Sequence, residues 1–237
     1  MWLNVNKSSV MWFSSKHSKR KSEYLPIMID DQPLTAVTQQ CYLGIIFDCC
    51  LQWNAQVSEM CRKCSYYLYL IGCSHKHLPV SLLKLLMESL ISSCIMYALP
   101  VWGSPLLNHQ VGRLQCIQNR VVFSLKKFDH VSVSREQLGW PNISEEIEIR
   151  SLATFHHHCF SRQCLQLQPP ITFGRSHTYN TRCKAYFANN TYHHLARTQR
   201  YFRHRATCWW NKLPFEVPHK HGEFVTLMKT HCMTNNS

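Results

Sequence analysis

The sequence predicts an α+β chain: a small antiparallel strand unit, then a mainly helical region, then a basic C-terminal region. Three observations predict it. Short apolar runs bounded by turn residues occupy the first fifty positions. From Trp53 onward the apolar residues recur at three- and four-residue spacing, which is the signature of one helix face. The charge is also lopsided: the net charge is +13, and Arg150–Leu213 supplies ten basic residues without a single Asp or Glu. The three regions are residues 1–52, 53–130 and 131–237.

Val10–Phe13 and Tyr24–Ile29 read as short strands joined by a polar connection, Ser14–Ser22, that carries Lys16, Lys19, Arg20 and Lys21. Asp30-Asp31-Gln32-Pro33 is a turn cluster, because Asp initiates turns and Pro fixes φ. Tyr42–Phe47 is a third strand. Trp53–Cys73 is helical, with Val57, Met60, Cys61, Cys64, Leu68 and Ile71 on one face. Pro79–Leu99 is a second helix with a stripe of Leu82, Leu83, Leu86, Leu90, Cys94 and Tyr97. Pro79 suits its first turn and Pro100 ends it.

Leu106–Phe128 is a third helix. Val111, Leu114, Ile117, Val121 and Leu125 point inward, and Arg113, Arg120, Lys126 and Lys127 point outward. A fourth starts near Ser144, where Glu145, Glu146 and Glu148 favour the positive end of the helix dipole, and runs to about Cys159. Leu165–Ser176 holds Pro169-Pro170 and reads as a linker. Tyr179–Cys208 shows no clear period, and Phe224–Cys232 forms a short closing helix.

A chain of 237 residues can bury one good core or two small ones. Ten of the thirteen net charges come from Arg150, Arg162, Arg175, Arg182, Lys184, Arg197, Arg200, Arg203, Arg205 and Lys212; the other 16 basic and 13 acidic residues leave +3. An acid-free basic tract favours contact with a polyphosphate over a salt-bridged surface. Met1–Phe13 lacks the apolar core and cleavage site of a signal peptide. Pro79–Val101 carries Lys84 and Glu88, which suits a buried helix better than a membrane span. The expectation is an intracellular chain, in cytoplasm or nucleus. Its thirteen cysteines would then be reduced thiols serving as small core residues.

Enzyme signals are sparse. There is no G-x-S-x-G and no P-loop, so hydrolase and nucleotide-cradle readings have no support. Cys61-x-x-Cys64 with Cys73, His75 and His77 has one zinc-like pair, but its His-x-His is tight for a finger. Core packing explains the pair without a metal. His156–Cys159 with Cys164 reads the same way, and no metal ligand is assigned. Arg197, Arg200, Arg203 and Arg205 are interleaved with Tyr201 and Phe202. Guanidinium groups pair with phosphates while aromatics stack on unpaired bases; alternatively the aromatics face a core.

The ordered set of motifs points further. Tyr42-Leu43-Gly44 with Asp48, then Trp53, then Tyr97-Ala98 with Trp102-Gly103, then Gln118-Asn119-Arg120 follow one another in this chain. Leu138-Gly139-Trp140-Pro141, Tyr179-Asn180-Thr181-Arg182 and Trp210-Asn211-Lys212-Leu213-Pro214 complete the series. In that order they resemble the C-terminal part of reverse transcriptases of non-LTR, Jockey-like (LINE-type) retrotransposons. The resemblance implies the end of a palm over 1–52, a helical thumb-like region over 53–130, and the basic C-terminal region of those elements. Leu3–Ser8 resembles the lysine element after the catalytic turn, which makes Lys7 a possible general acid. Asp30-Asp31 lies between that element and Tyr42-Leu43-Gly44, in the wrong order for the family's catalytic pair, and is rejected as catalytic.

The resemblance implies a fragment without the catalytic aspartates, inactive alone, whose partners are an RNA–DNA or other nucleic acid and the missing palm and fingers of the polymerase. No cofactor is expected in the fragment; the parent enzyme would use magnesium. The nucleic-acid-binding candidates are Arg113, Arg120, Lys126, Lys127, Arg197, Arg200, Arg203 and Arg205. The alternative is a non-functional remnant, or a co-opted protein-interaction module without a nucleic-acid role.

Overall fold

The computed structural model describes residues 4, 7–14, 26–29, 31–74, 77–125, 139–160, 173–174, 186–187 and 201–234. The class is α+β. Two compact units divide the chain, Met1–Arg62 and Lys63–Ser237. The helices after residue 62 therefore share one unit with the basic C-terminal region.

Among the described residues the first unit holds six short strands: β1 Ser9–Val10, β2 Met28–Ile29, β3 Gln32–Pro33, β4 Thr35–Ala36, β5 Gln39–Tyr42 and β6 Ile45–Asp48. β2 and β3 pair antiparallel with Ile29 opposite Gln32. That register makes Asp31, at φ 57°, a turn residue, while Gln32 and Pro33 of the expected turn cluster lie in strand β3. The strand expected over Tyr42–Phe47 is instead a hairpin. Tyr42 pairs with Ile45, and Leu43 and Gly44 sit between them at φ 48° and 78°. Two successive positive φ angles make the type I′ turn whose twist matches that of paired strands. The expectation of a purely antiparallel unit also needs correction, because β1 pairs with β4 in parallel. The long segment between them permits such a crossover.

Asp48 organises the exit from β6. Its carboxylate accepts the backbone N–H of Cys50 at 3.0 Å, of Gln52 at 2.9 Å and of Trp53 at 2.8 Å. These bonds hold Leu51 and Trp53 at φ 49° and 64°, a region that costs a side-chain-bearing residue about 1 kcal/mol or more. Trp53 is thereby buried against Phe47, ring centroids 5.3 Å apart. Helix α1, Asn54–Ser74, starts directly afterwards. Val57 and Met60 join Ile45 and Trp53 in the core, and the Gln56 side chain accepts the Ile46 N–H at 2.9 Å. Further along the same face Cys64 and Ile71 are buried, as the spacing predicts, with Cys61 and Leu68 half-buried.

The second expected helix is broken into pieces. Helix α2, Val80–Met87, passes into a π-helical turn, Glu88–Ser92, then α3, Ser93–Met96, and α4, Leu99–Trp102. Leu83, Met87, Ile91, Ile95 and Leu99 are buried, a strict four-residue stripe. Of the predicted stripe, Leu83 is buried and Leu86 and Cys94 are half-buried, but Leu82, Leu90 and Tyr97 are exposed. Leucines occupy both faces of this segment, so periodicity alone leaves the buried face ambiguous. Pro100 does not end a helix either. The chain breaks at Ala98, φ 49°, and Pro100 lies in the first turn of α4, where its missing N–H costs nothing.

Helix α5 is Asn108–Leu125 and α6 is Ile143–Phe160. α6 starts at Ile143, next to the expected Ser144, and its cap is Asn142. Its side-chain oxygen accepts the Glu145 N–H at 2.9 Å, and the Glu145 carboxylate accepts the Asn142 N–H at 2.9 Å, a reciprocal capping box. A two-stranded pair follows, β7 Phe173–Gly174 with β8 Tyr186–Phe187. The stretch without a clear period contains most of helix α7, Phe202–Asn211, and α8 is His221–Thr234. The expected linker residues Pro169 and Pro170 lie outside the described residues.

α6, α7 and α8 close on one apolar cluster: Ile149, Leu152, Phe155, Ala206, Trp210, Phe224, Met228 and Cys232. Among the described residues no helix is long and apolar enough to cross a membrane.

Candidate nucleic-acid interface

α5 sorts its residues cleanly. Leu114, Ile117 and Val121 are buried, while Arg113 and Arg120 are exposed. Seven residues is close to two full turns, so the two guanidinium groups lie on one face, about 10 Å apart along the axis. Lys126 and Lys127, the rest of that basic set, lie outside the described residues.

The same helix uses its amides internally. Gln118 Nε2 donates to the Pro141 carbonyl at 2.8 Å, and Gln115 Oε1 accepts the Ile143 N–H at 2.9 Å. Gln115 Nε2 donates to Gln118 Oε1 at 2.7 Å and to Asn119 Oδ1 at 2.9 Å. Trp140 Nε1 adds a 3.0 Å bond to Glu88, the first residue of the π-helical turn. The Gln-Asn-Arg motif and the Gly-Trp-Pro motif are therefore two halves of one bonded joint that anchors the start of α6. Sequence reading placed both in order but did not pair them. The available signal was amide residues at i, i+3 and i+4 on one helix, Gln115, Gln118 and Asn119.

The Tyr97–Gly103 motif is also structural. Trp102 is fully buried and donates Nε1–H to the Tyr97 carbonyl at 2.9 Å. The Ala98 break turns that carbonyl toward it. A Cβ on Gly103 would lie 2.6 Å from the Leu99 carbonyl oxygen, so only glycine fits without a shift.

Arg205 is engaged by the protein itself. Its guanidinium donates to the Ser104 carbonyl and lies 4.7 Å over the Trp209 ring. Phe202 packs against the apolar cluster and Tyr201 is half-buried. The core reading thus holds for Phe202, and Arg205 fastens α7 to the segment after α4. Arg203 lies in α7, its side chain outside the described residues, as are Arg197 and Arg200 altogether. Nearby, burial raises the Glu148 carboxyl above the usual carboxylate range, and Arg205, His231 and Lys212 pull it partly back.

Lys7 is exposed, its N–H bonded to the Asn4 carbonyl at 3.1 Å. Of the zinc-like set, Cys64 is buried with its thiol 4.0 Å from the Ile91 carbonyl, Cys73 and His77 are exposed, and His75 lies outside the described residues. The described cysteines are free thiols. Burial pushes Cys159 and Cys232 up to about 11, which keeps them protonated and unreactive at neutral pH.

Comparison with protein-family models, with curated proteins and with solved structures found no match.

Proposed function

We propose that this chain is a C-terminal portion of a non-LTR retrotransposon reverse transcriptase that binds template–primer nucleic acid and does not polymerise by itself. The observation that carries the reading is the acid-free tract Arg150–Leu213 with its ten basic residues. The exposed pair Arg113 and Arg120 on one face of α5 supports it, as does the bonding of two resemblance-bearing motifs into one joint. In the parent enzyme, magnesium and the catalytic carboxylates would belong to the palm, and this portion would grip the duplex through its phosphates. Lys7 keeps a possible general-acid role in that setting.

The test is binding of the full chain to an RNA–DNA duplex across a salt series. Each phosphate contact should contribute about −0.9 to the slope of log K against log salt. Replacing Arg113 and Arg120 together by Ala should flatten the slope by about 1.8. Absent or salt-independent binding would sink the proposal.

One observation favours a protein-interaction role instead. Leu82, Leu85, Leu90, Tyr97 and Val101 stand exposed on the outer side of the α2–α4 segment, and an apolar patch of this kind marks a contact surface. It suits the missing palm and fingers portion, or an unrelated protein if the chain has been co-opted. Failure to bind any nucleic acid while retaining a cooperative melt would favour that reading.

A further inference from the structure

His156 sits at the C-terminal turn of α6 and is 1% exposed. Its ring stacks on Phe224, centroids 4.5 Å apart at 18°, with Phe160 at 4.6 Å and Trp210 at 6.0 Å. Nε2 lies 2.7 Å from the Pro218 carbonyl oxygen. A carbonyl can only accept, so Nε2 carries the hydrogen and Nδ1 holds the bare lone pair. That lone pair faces Nδ1 of His221, 3.4 Å away, at the first residue of α8. The separation is long for a hydrogen bond.

It fits another use. Zinc binds imidazole nitrogen at about 2.0–2.1 Å with tetrahedral angles, which places two ligand nitrogens roughly 3.4 Å apart. A histidine ligand characteristically donates its other ring N–H to a carbonyl or carboxylate, which fixes the tautomer and aims the lone pair. The Pro218 carbonyl does this for His156.

We infer that Nδ1 of His156 and Nδ1 of His221 form a two-imidazole site for a borderline divalent transition-metal ion, zinc being the probe of choice. His221 is exposed, so the ion enters from solvent. The ion takes His221 as its Nε2–H tautomer, with the Nδ1 lone pair on the metal, so the neutral ring keeps its one proton. Among the described residues no third His, Cys, Asp or Glu completes a three-ligand set, so water fills the remaining positions and the ion exchanges readily. The site joins the end of α6 to the start of α8, and an ion there would staple the C-terminal cluster. Sequence spacing could not find it, since its ligands are 65 positions apart.

The test uses the full chain, stripped with chelator and then titrated with Zn2+ by calorimetry and thermal melting, beside His221→Gln. His221 is exposed, so the variant folds, and its metal-free melt serves as the check. The wild type should bind one equivalent more than the variant, and only the wild type should melt higher with metal by way of that equivalent. Cobalt(II) separates this site from the cysteines, because an imidazole site lacks thiolate-to-metal charge-transfer absorption. His157→Gln should retain the equivalent. Equal stoichiometry and equal melting shift in wild type and His221→Gln would overturn the inference, as would a lost equivalent that carries thiolate absorption.

Discussion

Replacing Gln118 by Met removes one amide from the joint between α5 and the start of α6 while keeping length and volume. Two partners are stranded. The Pro141 carbonyl loses the 2.8 Å bond from Nε2, and Gln115 Nε2 loses its 2.7 Å acceptor while keeping Asn119 at 2.9 Å. Pro141 is buried and Gln118 is 9% exposed, so water cannot replace the missing donor. A buried group left unsatisfied costs about 1–3 kcal/mol. Gln115 keeps its bonds to Asn119 and Ile143, so the total should be about 2 kcal/mol. In a unit of this size that lowers the melting temperature by roughly 4–8 °C. Since the chain has two units, the sharper assay is hydrogen exchange at Ile143 and the first turn of α6. Those amides should exchange up to about 30-fold faster, while amides of α1 stay unchanged. Exchange within a factor of two of wild type would refute the view that this joint anchors α6.

Three other outcomes are expected. Asp48→Ala removes the acceptor for three backbone N–H groups and should speed exchange at Gln52 and Trp53 by at least tenfold, with a loss of about 2–4 kcal/mol in the first unit; α6 exchange serves as the internal control. Gly103→Ala forces a methyl to within 2.6 Å of the Leu99 oxygen and should cost about 1–3 kcal/mol by overpacking, read as a lower melting temperature. Burial holds the folded pKa of Glu148 above that of an exposed glutamate. The folded state thus binds its proton more tightly than the unfolded chain, and the stability this confers is complete below about pH 4.5 and lost as pH rises through the folded pKa. Glu148→Gln should accordingly stabilise the chain to urea at pH 7 and lose that advantage at pH 4; an equal advantage at both would contradict the burial argument.

How much was legible in the sequence depended on whether the evidence was local. The α1 face was readable because Val57, Met60 and Cys64 recur at helical spacing among polar residues such as Glu59, Arg62 and Lys63, and Ile71 continues that spacing. The α2–α4 segment was legible only in part: Leu83 is buried as expected, but Leu82 and Leu90 are exposed, because leucines on both sides carry no directional information. The Tyr42–Phe47 strand became a hairpin because Leu43 accepts a left-handed conformation that its side chain gives no hint of. Helix α7 was missed because Arg, His and Thr dilute its period; its helicity follows from Trp210 and Ala206 packing against α6 and α8.

Of the candidate site, composition established the acid-free basic tract, since charge sums along a chain regardless of fold. Where those charges are spent is a tertiary question. Arg205 is drawn to the Ser104 carbonyl and the Trp209 ring, 101 and four positions away; outside that tract, Arg113 and Arg120 are exposed on α5. The residue types, their order and the overall charge were determined by sequence alone, because propensity, periodicity and charge are local or additive. The closure of Gln115 and Gln118 on Pro141 and Ile143, and the meeting of His156 with His221, were decided only by tertiary structure. Each needs two distant segments brought within hydrogen-bond reach, and no local preference encodes that distance.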